Sequence, residues 1–199
     1  CLLSAFFIIQ KTKILKGEGN FLFLKSFCRN MKLFGTSKVN ENGNLSIGGV
    51  DTVELVKEFK TPLYVMDQEL IETTIDKMKE AFKSARFNTR IAYAGKAFLS
   101  TGMIKLVESK GLDLDVVSGG ELYTAHKAGF PMNKVHLHGN NKLVNEIEMA
   151  VEFGIDTIVV DNEDEIDKIE RICREKGKKQ AVLVRIDPGI EAHTHHYIK

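Results

Sequence analysis

Few cysteines, no excess of charge and no long apolar run set the first limits on this chain. Only three of its 199 residues are cysteine, and two of those, Cys1 and Cys28, fall near the start. That number supports no disulfide framework and fits a reducing compartment, so a cytoplasmic location is expected. Lysine plus arginine (28) nearly equals aspartate plus glutamate (27), for a formal charge of +1. Such a balance gives no electrostatic case for binding nucleic acid or an anionic membrane. The apolar start, residues 1–9, is far too short to span a bilayer. It also lacks the basic region and small-residue cleavage site of a secretory signal. No Cys-x-x-Cys or His-Glu-x-x-His motif accompanies the histidines. A zinc site needs three or four convergent ligands, so His136, His138, His193, His195 and His196 carry no metal expectation.

What is present is one unit repeated from residue 90 onward. Short β-branched or apolar runs occupy residues 90–94, 112–117, 134–138, 156–160 and 181–186. Between them lie stretches with apolar residues at helical spacing, such as Met103, Leu106, Val107 and Ile166, Ile169, Ile172, Cys173. An earlier helix is expected over about residues 69–84, with Ile71, Ile75, Met78 and Phe82 on its inward face. Strand-to-strand spacing is roughly two dozen residues, the size of a βα unit with short loops. Uninterrupted alternation implies a parallel sheet with helices outside it. Five units fit an open doubly wound sheet or a closed barrel. No Gly-x-Gly-x-x-Gly follows the first strand, which removes the main mark of the dinucleotide-binding sheet and favours the barrel.

Residues that could do chemistry fall at or just past the carboxyl ends of these strands, the face that carries active sites in barrels. They are Lys96, Ser118, His138, Asn140, Asp161 and Arg185. Lys96 follows a strand within Tyr93-Ala94-Gly95-Lys96-Ala97. Partial desolvation there would favour a neutral amine, which Schiff-base chemistry requires. A solvated structural lysine is the plainer reading. Ser118-Gly119-Gly120-Glu121 reads as a capping box, although its glycines would also admit a cofactor. Asp161 reads as a helix cap. Asp113 and Asp115 share a strand face, as do His136 and His138; Asp115 and His138 lie nearer the rim.

Several segments together resemble the diaminopimelate decarboxylase family. They are Tyr93-Ala94-Gly95-Lys96-Ala97, Asp115-Val116-Val117-Ser118-Gly119-Gly120-Glu121-Leu122, His138-Gly139-Asn140-Asn141-Lys142, and the run from Arg185 through Ala192-His193-Thr194-His195. Met31-Lys32-Leu33-Phe34-Gly35-Thr36, Gly48-Gly49-Val50-Asp51 and Thr61-Pro62-Leu63-Tyr64-Val65-Met66-Asp67 resemble that family's amino terminus.

The resemblance implies a fold-type III enzyme, in which an alanine-racemase-like βα barrel of eight strands is joined to a β-sandwich domain. About five of those strands would be present here. It implies pyridoxal 5'-phosphate as cofactor, held by Lys96, with Ala94, Asp115, Ser118, His138 and Arg185 around it. It implies removal of carbon dioxide from meso-diaminopimelate to give L-lysine, and a homodimer at full length. The alternatives are a pyridoxal-phosphate decarboxylase of another basic amino acid and a non-catalytic, cofactor-binding homologue. Residues 1–30 fall outside the resemblance and read as a leader. Residues 31–66 read as the amino-terminal segment and residues 67–199 as a partial barrel. The expected chain is thus the amino-terminal portion of a longer enzyme, inactive alone.

Overall fold

Each repeated run becomes a strand, and each capped polar-apolar stretch a helix, in the structure, a computed structural model that describes residues 33–187 and 189. The leader and His193, His195 and His196 lie outside the described residues. The chain divides into two compact units between Ala85 and Arg86.

The first unit holds an antiparallel sheet of β1 (Lys38–Val39), β2 (Leu45–Ile47) and β3 (Val50–Asp51). Helices α1 (Thr52–Phe59) and α2 (Gln68–Ala81) follow. Asp51 caps α1 by accepting from the Val53 N–H at 2.8 Å. On α2, Ile75 is buried and Ile71 and Met78 are half-buried. Phe82, expected on the inward face, is 59% exposed. The helix stops one residue before it, and as C-cap Phe82 leaves the helical backbone conformation (φ −98°, ψ 7°).

Two of the amino-terminal segments singled out above meet through one carboxylate. Asp67 caps α2 by accepting from the Leu70 N–H at 3.0 Å. It also accepts from the Thr36 hydroxyl at 2.6 Å and from the Thr36 N–H at 3.2 Å. Burial alone would push this carboxyl up; the Thr36 hydroxyl and the Leu70 and Thr36 N–H donors outweigh it and hold the carboxyl below its usual range. A carboxyl depressed in the folded state adds stability above its unfolded pKa of about 3.9, and that stability is lost as pH falls through the folded value. Asp67→Ala is therefore expected to cost about 1–2 kcal/mol at pH 7 and less below pH 3. Urea unfolding at both pH values checks this, and an equal loss at both would contradict it.

The second unit is a parallel sheet with helices between its strands. The strands are β4 (Ala92–Ala94), β5 (Asp113–Val116), β6 (Val135–Leu137), β7 (Thr157–Val160) and β8 (Ala181–Val184). The helices are α3 (Thr101–Ser109), α4 (Gly119–Lys127), α5 (Val144–Phe153) and α6 (Glu163–Lys176). Neighbours in the sheet follow chain order, β4-β5-β6-β7-β8, and every pairing is parallel. A doubly wound sheet reverses its order at a switch point; this one does not, and it winds as a barrel does.

Strand parity separates the two faces of the sheet. Leu114, Val116, Val135, Leu137, Ile158 and Val160 are fully buried, and so are Ile104, Val107, Leu122, Ile147 and Ile172 on the helices. Burial of each such side chain contributes about 2 kcal/mol. The alternate positions, Asp113, Asp115, His136 and His138, carry polar side chains on the opposite face. Ile166 is exposed and Cys173 only half-buried, because the buried stripe of α6 runs through Glu165, Ile169 and Ile172.

At the amino ends of the strands, Arg90 bridges Asp113 (2.6 Å) and Asp156 (3.0 Å). The His136 ring stands between the same two carboxylates, at 3.3 and 3.5 Å. The Arg90, Asp113 and Asp156 groups of this network lie toward the amino ends of the strands, while His136 also lines the cavity that Lys96 borders. Among the described residues, no group of three or more His, Cys, Asp or Glu side chains is arranged to hold a metal ion, and no helix is long and apolar enough to cross a membrane.

Candidate active site

The turn that carries Lys96 is built by its neighbours. Strand β4 ends at Ala94, and a single 3-10 turn, Gly95–Ala97, follows it. Tyr93 points away from the barrel interior and is buried. Its hydroxyl donates to the Phe98 carbonyl at 2.8 Å, so the residue before the turn holds the residue after it. Burial raises the Tyr93 pKa, which keeps that hydroxyl protonated as a donor.

Gly95 is pressed against β5. A Cβ there would lie 2.9 Å from the Asp115 carbonyl oxygen and 3.4 Å from a Glu121 carboxylate oxygen. Lys96 itself is exposed and forms no hydrogen bond or ion pair with any described residue. This exposure matches the plainer reading of the sequence, a solvated lysine, and the side chain borders an open cavity at the strand end. Tyr93→Phe should loosen the turn at a cost of about 1 kcal/mol, leaving the buried core otherwise unchanged. Thermal unfolding reads the cost; a variant as stable as the parent would show that the hydroxyl does not hold the turn.

Three further strand ends border the same cavity, whose volume is about 920 Å³. From β5 comes Asp115, and from the end of β6 comes His138, whose Nε2 lies 3.5 Å from Asp115 Oδ1. Just past β8 comes Arg185, with Nη1 3.4 Å from both carboxylate oxygens of Asp161. Small residues, Ala92, Ala94 and Gly95, line the wall beside Lys96.

Of the six residues singled out from sequence for cofactor binding, Ala94, Lys96, Asp115, His138 and Arg185 line this cavity. Ser118 follows the carboxyl end of β5 but is not among the lining residues. Its hydroxyl caps α4 by accepting from the Glu121 N–H at 3.3 Å, while Glu121 reaches back to the Val117 N–H at 2.8 Å. Asp161 is not the cap of α6. Asn162 takes that role by accepting from the Glu165 N–H at 3.0 Å, which leaves the Asp161 carboxylate to face Arg185.

Sequence reasoning passed over the supports beneath the rim. Glu146 accepts from the Gly119 N–H at 2.5 Å and the Leu143 N–H at 2.9 Å, tying the starts of α4 and α5 together. Lys142, the last residue of His-Gly-Asn-Asn-Lys, is buried against Glu165 at 2.8 Å. A glutamate three residues into each helix was the available signal for such reaching-back bonds.

The arrangement offers one unengaged primary amine, an imidazole beside a carboxylate, and a guanidinium beside another carboxylate. An amine of this kind can attack an aldehyde carbon. The imidazole can donate or accept a hydrogen bond, and the guanidinium can bind an anionic oxygen.

Comparison with known proteins identifies the family. The family model of the pyridoxal-dependent decarboxylases, pyridoxal binding domain, matches residues 68–199. The diaminopimelate decarboxylase of Bacillus methanolicus is 55% identical over 84% of this chain and 39% of its own length. That of Bacillus subtilis is 54% identical over 84% of this chain and 38% of its own. Among solved structures, diaminopimelate decarboxylase from M. jannaschii in complex with L-lysine matches with a TM-score of 0.74 at 36% identity, covering 82% of this chain and 38% of that one. The Helicobacter pylori enzyme complexed with L-lysine matches at 0.69 and 34% identity, covering 74% and 37%. The second unit is accordingly part of an alanine-racemase-like βα barrel. The chain spans 38–39% of the length of these curated relatives.

Proposed function

Because the chain belongs to the pyridoxal-dependent decarboxylases, through their pyridoxal-binding domain, we propose that it anchors pyridoxal phosphate on Lys96 in an enzyme that converts meso-diaminopimelate to L-lysine. The observation that carries the reading is the unengaged amine of Lys96 at the end of β4, beside small wall residues and opposite the Asp115–His138 pair.

The residues fit the cofactor's aldehyde end. Ala92, Ala94 and Gly95 leave room beside the amine, and the Gly95 backbone allows the turn to sit against β5. Lys96 would hold the cofactor covalently, with Ala94, Asp115, His138 and Arg185 lining its pocket. When bound, the cofactor supplies an electron sink for the pair left behind by a departing carboxylate. His138, with Asp115 Oδ1 3.5 Å from Nε2, is placed to hold or pass a proton at the cavity wall. Arg185, oriented by Asp161, is placed to hold an anionic oxygen. Ser118 contributes by setting the start of α4, and with it the position of Val117 on the cavity wall.

The substrate assignment rests on the diaminopimelate decarboxylases that the chain resembles over 84% of its length. A homodimeric, cytoplasmic enzyme that binds neither nucleic acid nor membrane belongs to the same proposal. The near-neutral charge supports the last part of it.

The test is carbon dioxide release by the protein of the full reading frame, supplied in turn with meso-diaminopimelate, ornithine, arginine and lysine. Meso-diaminopimelate should be preferred by about a hundredfold or more, since a site that hydrogen-bonds a second amino-acid head would be left unpaired by ornithine, arginine or lysine. Preference for another basic amino acid would replace the substrate assignment. Cofactor retention without carbon dioxide release from any of them would favour the non-catalytic homologue.

A further inference from the structure

Beneath the cavity lies an ion pair that the proposed chemistry does not use. The side chains of Lys142 and Glu165 are only 2% and 3% exposed, and Nζ lies 2.8 Å from Oε2. Lys142 Nζ also donates to the Gly139 carbonyl at 2.6 Å. Gly139 holds a φ of +121°, a conformation that favours glycine, and its neighbours His138 and Asn140 both line the cavity. Glu165 Oε2 in turn accepts from the Asp161 N–H at 3.1 Å, and the Asp161 side chain faces Arg185. One carboxylate oxygen is therefore the node between the loop after β6 and the loop after β7. Glu165 Oε1 is buried and has no hydrogen-bond partner among the described residues, so all of the carboxylate's bonds lie on Oε2.

We propose that the buried Lys142–Glu165 pair is a positioning device that fixes His138 and the Asp161–Arg185 pair on the rim of the cavity. Burying two charges is a poor way to gain stability, since apolar residues of similar volume often serve as well or better. Here the pair does what an apolar contact cannot. It grips a carbonyl on one rim loop and an N–H on the next, so that the two loops share one geometry. The inference rests on the reading of this cavity as the cofactor site.

The experiment uses the protein of the full reading frame and compares Lys142→Met, Glu165→Leu and the double variant. Three quantities are read: thermal midpoint without cofactor, the dissociation constant of pyridoxal phosphate from its visible absorbance, and the visible circular dichroism of the bound cofactor. Each single variant strands one buried charge and lowers the midpoint. The double variant recovers most of the midpoint yet binds the cofactor about tenfold or more weakly, with a diminished dichroism band, because both loops have lost their anchor. A double variant with parental affinity and dichroism would overturn the proposal and leave the pair as part of the fold alone. Should the double variant not fold, Lys142→Met carries the test, since it releases the Gly139 carbonyl while Glu165 still accepts from the Asp161 N–H; an unchanged dissociation constant and dichroism in that variant would overturn the proposal equally. A parent protein that retains no cofactor on Lys96 would instead sink the underlying reading of the cavity, which the pair variants leave untouched.

Discussion

Lys96→Ala is expected to abolish covalent retention of pyridoxal phosphate and to lower turnover by about three orders of magnitude or more. The substitution removes the one cavity-lining amine among the described residues. Lys142 is buried and committed to Glu165 and the Gly139 carbonyl. Lys105, exposed on α3, does not line the cavity. Lys96→Arg should fail almost as completely, because a guanidinium stays protonated and cannot bond to the aldehyde carbon. Lys105→Ala serves as the control and should leave visible absorbance and turnover at parental values. Loss of both in the control, or their survival in Lys96→Ala, would contradict the assignment. The exposure of Lys96 suits this role, since the amine must reach an incoming aldehyde. It also agrees with the plainer reading of the sequence, a solvated lysine at a strand end.

Gly95→Ala should have the second largest effect. A methyl group at that position meets a backbone oxygen, the Asp115 carbonyl, at 2.9 Å. Backbone cannot rotate aside as a side-chain tip can, so the turn carrying Lys96 must move off β5. The expected stability loss is about 1–3 kcal/mol, the usual cost of overpacking. Displacement of the amine should also weaken cofactor binding by about tenfold or more. Gly102→Ala, in the first turn of α3, gives the contrast. The nearest atom to a Cβ there is the Ser100 hydroxyl oxygen at 3.8 Å, so alanine should be neutral or stabilising by up to about 1 kcal/mol. Thermal unfolding together with cofactor titration separates the two. Equal behaviour of the glycine variants would show that the close approach at Gly95 is not what holds the turn.

The architecture was legible where a local pattern decides it. Runs of β-branched residues at regular spacing marked all five parallel strands, and unbroken repetition in one direction pointed to a barrel. Position along the strand separated Asp115 and His138, which line the rim together, from Asp113, which shares their face but turns toward Arg90 at the far end. Side-chain commitments were less legible, because they depend on partners far away in sequence. Either Asp161 or Asn162 could cap α6 on local grounds, and an Arg185 twenty-four residues downstream decided between them. Lys142 stood out only as part of the His-Gly-Asn-Asn-Lys segment, with no partner in view; folding brings Glu165 within reach, from another element and 23 positions away. The link from Thr36 to Asp67 joins two segments whose separate resemblance gave no hint of contact.

The most direct test of the central claim is borohydride reduction of the cofactor-loaded full-length protein, followed by peptide mapping. The account predicts that the reduced cofactor is fixed on the peptide containing Lys96 and on no other. Reduced cofactor on Lys105 or Lys142, with Lys96→Ala still carrying it, would contradict the account.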